Sequence, residues 1–166
     1  MNDLEWNRKF PPETTFEELD KYESELQVKI PSVLRELWTT CSPTWAPMRS
    51  GEDASFLIVD SGKVVNKGSN IALFYGFCSP GDNLAIDYLE DQHNIHLKRV
   101  IPFGHNGSSQ LFLNYDNDPT GQNPEIWDTY LEGDTPEEAW RLVAPDISTF
   151  FSNLKTKTEA EELGVY

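Results

Sequence analysis

The sequence predicts an α+β fold on three observations: apolar residues recur at helical spacing near both ends of the chain, short β-branched and aromatic runs lie between them, and clusters of Asn, Gly and Pro separate those runs. Helices at both ends with antiparallel strands between them are the architecture expected. With 166 residues, 38% of them hydrophobic, the chain has enough apolar side chains for one ordinary core. Its organisation reads as an extension over residues 1–13, a folded domain over 14–155 and a charged tail over 156–166.

The first helix is expected over Thr14 to Leu26. Thr15-Phe16-Glu17-Glu18 has capping-box form, and Phe16, Leu19, Tyr22 and Leu26 follow at three- and four-residue steps. Ile30-Pro31 then opens a second helix carrying Val33, Leu34, Leu37 and Trp38, which the Cys41-Ser42-Pro43 break ends near Thr40. Pro43 to Asp53 mixes Pro, Gly, Ser and charge, so it reads as a loop that carries Trp45 and Met48.

Phe56 to Val59 predicts a strand, Asp60-Ser61-Gly62 a turn, and Asn70 to Phe77 a second strand closed by Ser79-Pro80-Gly81. Asp82 or Asn83 caps a short helix with Leu84, Tyr88 and Leu89 on its apolar side. The strand Val100 to Phe103 contains Pro102, which argues for an edge or strand-end position. Asn106-Gly107 is a hairpin signal, and Leu111, Leu113 and Tyr115 alternate on the returning strand. Ile126, Trp127 and Tyr130 mark one more strand before Gly133-Asp134-Thr135-Pro136. Ile147, Phe150, Phe151 and Leu154 form the closing helical stripe behind its cap, Asp146. Phe16, Trp38, Phe74, Phe103, Phe112, Phe150 and Phe151 are the aromatic residues expected inside.

Net charge is −15, with acids scattered along the whole chain. Such a surface repels nucleic acid and anionic membranes and attracts a basic partner. No apolar run approaches the roughly 20 residues of a membrane helix, and the first residues lack signal-peptide form, so a cytoplasmic protein is expected. Cys41 and Cys78 have no metal or redox spacing and read as reduced thiols.

Catalytic and metal chemistries find little support. Asp116-Asn117-Asp118-Pro119-Thr120-Gly121 imitates the front of a calcium loop, but Trp127 stands where a bidentate glutamate is required. His93, His96 and His105 suggest a zinc site only loosely, because no ligand spacing is fixed. No nucleophile elbow and no phosphate loop is present. The expectation is therefore a protein without enzymatic activity and without a cofactor or metal.

The partner-binding residues expected are Trp45 as an aromatic anchor with Glu52 and Asp53 at its rim, an acidic helical face of Asp82, Asp87, Glu90 and Asp91, and an acidic loop of Asp116 and Asp118. A tryptophan folded over the core edge and a solvated acidic face are the plainer readings of the same residues.

Several strings resemble, in order, the SMI1/KNR4 (SUKH) superfamily. They are the first helix with Leu19, Glu23 and Leu26, then Val28-Lys29-Ile30-Pro31 leading into Val33-Leu34-Arg35-Glu36-Leu37-Trp38, then Leu73-Phe74-Tyr75-Gly76-Phe77. Next come Val100-Ile101-Pro102-Phe103-Gly104, Gln110 to Asp116, Glu125-Ile126-Trp127 and the closing Ile147 to Leu154. The resemblance departs at Cys41-Ser42-Pro43, where an Asn-Gly-Gly-type turn is usual, and at Ser108-Ser109, where glycine is usual. It implies a mixed, mostly antiparallel central sheet of about five to six strands, wrapped by N- and C-terminal helices and used as a protein-binding scaffold. Bacterial members are similar to immunity proteins that neutralise polymorphic toxins, often nucleases, and fungal members are regulatory. The resemblance thus implies an immunity protein whose partner is the toxin domain of a polymorphic or secretion-system effector, which the net charge makes a basic one, with a regulatory or scaffolding module as the alternative; a metal-dependent enzyme using His93, His96 or His105 is a third reading.

Overall fold

In the computed structural model, residues 4–5, 11–12, 14–40, 48–54, 56–60, 63–69, 73–74, 83–106 and 109–163 are described. Helix α1 (Phe16–Leu26) begins at the expected capping box: the Thr15 hydroxyl accepts the Glu18 amide at 3.2 Å, and the Glu18 carboxylate accepts the Thr15 amide at 2.8 Å. It ends at Gln27, whose φ of 54° turns the chain. Helix α2 (Ser32–Thr40) follows Pro31, whose carbonyl accepts the Leu34 and Arg35 amides. Leu19, Leu34, Leu37 and Trp38 bury both helices against the main core. Phe16, expected inside, is 56% exposed; the guanidinium of Arg35 lies over its ring at 5.6 Å in place of core contacts.

The region predicted as a loop contains a small hairpin, β1 (Met48–Arg49) with β2 (Glu52–Asp53), turned by Ser50 and Gly51 at φ of 53° and 82°. Strands β3 (Phe56–Asp60) and β4 (Lys63–Ser69) pair antiparallel, and β4 went unpredicted. Strand β5 (Leu73–Phe74) is the described part of the expected second strand. Helix α3 (Leu84–His93) is capped by Asn83, whose side chain accepts the Ala85 amide at 3.0 Å. Asp82, Cys41, Cys78 and the turn residue Gly107 lie outside the described residues.

Strands β6 (Val100–Asn106), β7 (Ser109–Asn114) and β8 (Glu125–Tyr130) follow, then helix α4 (Pro136–Ala139), strand β9 (Trp140–Ala144) and helices α5 (Ile147–Ser152) and α6 (Lys157–Glu162). The five-stranded sheet has the order β5-β6-β7-β8-β9 with every pair antiparallel, and with the helices around it makes the α+β fold expected. Pro102 sits where β6 pairs with β7 alone among the described residues, because β5 meets β6 only at Gly104 and His105. A missing N–H is tolerated there.

One sheet face carries Ile101, Phe103, Leu111, Leu113, Tyr115 and Ile126 into the main core, with α1, α2 and α5 against them. The other face carries Phe112 into a smaller cluster with Val100 and Ala85 of α3. Strand β7 is therefore buried on both faces, where the sequence suggested a single apolar alternation. Leu84, assigned to the apolar side of α3, is 82% exposed, and Ala85 and Leu89 take the buried positions. The charged stretch expected as a tail folds from Thr156 onward into α6, whose own capping box joins Thr156 and Glu159 and whose Ala160 is buried.

The loop after β7 docks onto the α1–α2 connection. The Tyr115 hydroxyl donates to the Lys29 carbonyl at 2.9 Å, and the Lys29 amide donates to the Gly121 carbonyl at 2.6 Å. Gly121 adopts φ +65°, and a Cβ there would stand 2.3 Å from the Gln27 carbonyl oxygen, so glycine is required both by conformation and by space. Buried Glu23 gathers the same connection: it accepts the Ile30 amide at 2.8 Å and pairs with Lys29 at 2.8 Å and Arg35 at 3.1 Å.

Candidate functional site

The expected binding residues separate into groups with different tasks. Asp116 and Asp118, expected to face a partner, are engaged by their own backbone. The Asp116 carboxylate accepts the Lys98 and Arg99 amides at 3.0 and 2.9 Å. Asp118 accepts the amides of Thr120, Gln122 and Asn123 at 2.9, 2.7 and 2.7 Å, and these bonds with that of the Thr120 hydroxyl hold its carboxyl well below the usual carboxylate range. Such a ring of amides is the signature of a loop anchor.

Glu52 is likewise occupied. Its carboxylate accepts the Thr158 hydroxyl at 2.6 Å and the Thr158 amide at 3.1 Å, which lowers its pKa and fixes the first turn of α6 to the β1–β2 hairpin. Arg49 from the same hairpin pairs with Glu159 at 3.0 Å and donates to the Leu154 carbonyl at 3.0 Å. Asp53 belongs to β2, and its side chain is outside the described set, as are Trp45 and Asp82.

Asp87, Glu90 and Asp91 all stand exposed on α3. Asp87 and Asp91 are one turn apart on one face, where like charges oppose helix formation by roughly 0.2–0.5 kcal/mol. Glu90 and Asp91 also fall in the last turn, where the helix dipole disfavours acids. Among the described residues, Glu90 alone of the three has a cationic neighbour, at 3.1 Å from His96, a pair that is charged only when the imidazole is protonated. No hydrogen bond or ion pair among the described residues joins the α3 acids to Glu52 or to the Asp116 and Asp118 pair. The expected surface is thus an acidic helix together with two structural devices.

The histidines do not converge. His93 shares a 3.0 Å contact with the Tyr88 hydroxyl, His96 lies between Glu90 and Asn94, and His105 sits on β6, where burial lowers its pKa. Among the described residues no group of three or more His, Cys, Asp or Glu is placed to hold a metal ion, and no helix is long and apolar enough to cross a membrane.

A second surface feature lies on the sheet face that α3 covers. Phe112, Trp127 and Leu142 stand side by side across β7, β8 and β9. Trp140 stacks on Trp127 at 5.1 Å and 18° and meets Phe112 edge-on at 5.5 Å. Glu125, two residues before Trp127 on the same strand face, accepts the Trp127 indole N–H at 2.9 Å and the Asn117 amide at 2.9 Å. Sequence reasoning placed Trp127 on a strand but did not find this shelf, since it left β9, whose Trp140 and Leu142 alternate about Arg141, unassigned. Arg141 points the other way, to Asp128, a carboxylate that burial pushes up to about 6 against the opposing charge of Arg141.

The model of the SMI1 / KNR4 family (SUKH-1) matches residues 13–153. No curated protein and no solved structure matches the chain.

Proposed function

We propose that this chain, which belongs to the SMI1/KNR4 family (SUKH-1), is an immunity protein that binds a cognate toxin domain, basic and nuclease-like, and neutralises it by occluding its active site. The observation that carries this reading is the run of exposed carboxylates Asp87, Glu90 and Asp91 on α3, kept against helix energetics in a chain of net charge −15. Carboxylates in that density stand in for the phosphates of a nucleic-acid substrate, meet the Lys and Arg side chains of the toxin's cleft and accelerate encounter. The action is stoichiometric and breaks no bond. An interface of roughly 1,600 Å² suffices for such a complex.

The test is co-expression with the C-terminal domain of a toxin encoded beside this gene, scoring growth and co-purification. Rescue of growth with a co-purifying complex is expected, and it should be lost when Asp87, Glu90 and Asp91 are together changed to Lys. Rescue that survives that triple change removes α3 from the mechanism, and turnover of a small molecule by the purified chain removes the mechanism itself.

A further inference from the structure

We propose that Trp127, Leu142 and Glu125 form a subsite for an arginine side chain of a protein partner. The inference rests on the protein-binding reading above and assigns that reading a place and a chemistry.

Burial falls steadily along the cross-strand row, from Phe112 with no exposure through half-buried Trp127 to Leu142 at 48% exposure. The rings are held from behind, because Trp140 stacks on Trp127 and is itself braced by Phe112. One oxygen of Glu125, Oε2, takes both the indole N–H and the Asn117 amide, and Oε1 takes no hydrogen bond from the described residues. An aromatic face and a carboxylate are thereby fixed side by side at the surface, next to an exposed apolar side chain.

The fold uses the same pairing twice for its own arginines. Arg35 lies 5.6 Å over the Phe16 ring while pairing with Asp20 and Glu23, and Arg141 lies 5.1 Å over the Tyr130 ring while pairing with Asp128. Trp127 and Glu125 repeat the arrangement with no arginine of this chain above them among the described residues: Arg49 is engaged at Glu159, and Arg99 at the carbonyls of Tyr115 and Asp118. A guanidinium stacks on an indole while donating to the remaining oxygen Oε1 of the carboxylate, whereas an ammonium cannot stack, so the subsite selects arginine over lysine. The surrounding net charge of −15 favours a cationic visitor over a second copy of this chain.

The experiment uses the full chain, labelled for NMR, with two probe peptides of equal length and charge, one an Arg-Gly repeat and one a Lys-Gly repeat, at physiological salt. The Trp127 indole signal is identified by its loss in Trp127→Phe. The Arg-Gly peptide is expected to bind roughly three- to tenfold more tightly than the Lys-Gly peptide and to move the Trp127 indole signal. Glu125→Gln, which keeps the hydrogen-bonding shape, and Leu142→Lys, at an exposed position, are each expected to erase the preference. Equal affinities for the two peptides, an unmoved Trp127 signal, or a preference that persists in both variants would overturn the subsite. A failed growth rescue with an intact arginine preference would instead remove the toxin reading and leave the subsite standing.

Discussion

Arg141 on β9 forms its ion pair across the strand boundary with Asp128 on β8, a carboxylate with no solvent exposure. The guanidinium is the counter-charge that makes the ionised form tolerable, yet burial still raises the Asp128 pKa from 3.8 to about 6. Because the folded state holds this proton more tightly than the unfolded state, the group's contribution to stability is full below 3.8 and is lost as pH rises through about 6. Arg141→Met leaves a buried charge without its partner. It should cost about 3–5 kcal/mol near pH 8. The gap from the parent protein should narrow below about pH 6, where Asp128 takes up a proton. Urea unfolding at two pH values measures both.

Gly121→Ala tests the docking of the β7–β8 loop on the helical connection. The left-handed φ and the 2.3 Å approach to the Gln27 oxygen leave no room for a methyl group. A loss of more than about 1 kcal/mol is expected in urea unfolding. Weaker protection of the Lys29 amide, which donates to the Gly121 carbonyl, should accompany it in hydrogen exchange.

On α3, a change that stabilises the free protein should weaken it as a binder. Asp91→Lys replaces a like-charge contact with Asp87 by an attractive one and puts a cation at the helix C-terminus. The two effects together should add roughly 0.5–1 kcal/mol to stability. Association with a basic partner should slow, with a shallower salt dependence, as read by stopped-flow kinetics.

Glu52→Gln should act on the C-terminal helix and leave partner affinity unchanged. The carboxylate fixes the Thr158 amide and hydroxyl, and those bonds lower its pKa below 4.5. Its contribution is therefore present above 4.5 and lost as pH falls through the depressed folded value. Faster amide exchange at buried Ala160 is the expected signature in the variant, and in the parent protein under acid.

The helices were legible wherever a local signal fixed them. The Thr15–Glu18 box, the Asp146 cap and the stripes of Leu19, Leu34 and Phe150 all stand as read, since capping and helical periodicity are short-range properties. Thr135–Glu138 and Thr156–Glu159 carried the same capping signal and went unread, because breaks and charge dominated their surroundings. Strands fared less well. β9 holds a charged residue whose ion-pair partner among the described residues is on β8, and that pairing lies beyond any local pattern. The expected binding residues divide for the same reason. Exposed acids on α3 follow from helical spacing, whereas Asp116, Asp118 and Glu52 look identical in composition, and only tertiary structure reveals the amides and hydroxyl they already hold. The aromatic shelf needs the register of three strands.

In the five-stranded sheet each strand lies beside its sequence neighbour, from β5 through β9. Strands β6 to β9 can zip up through comparatively short connections, and topologies of that kind assemble quickly, whereas β5 joins them only across α3. The two N-terminal helices have no comparable shortcut: Leu34 and Trp38 share a core with Ile101, Phe103 and Phe150, residues made much later. During synthesis those helices leave the ribosome before that surface does and wait with their greasy side uncovered, which makes them a segment a chaperone would hold.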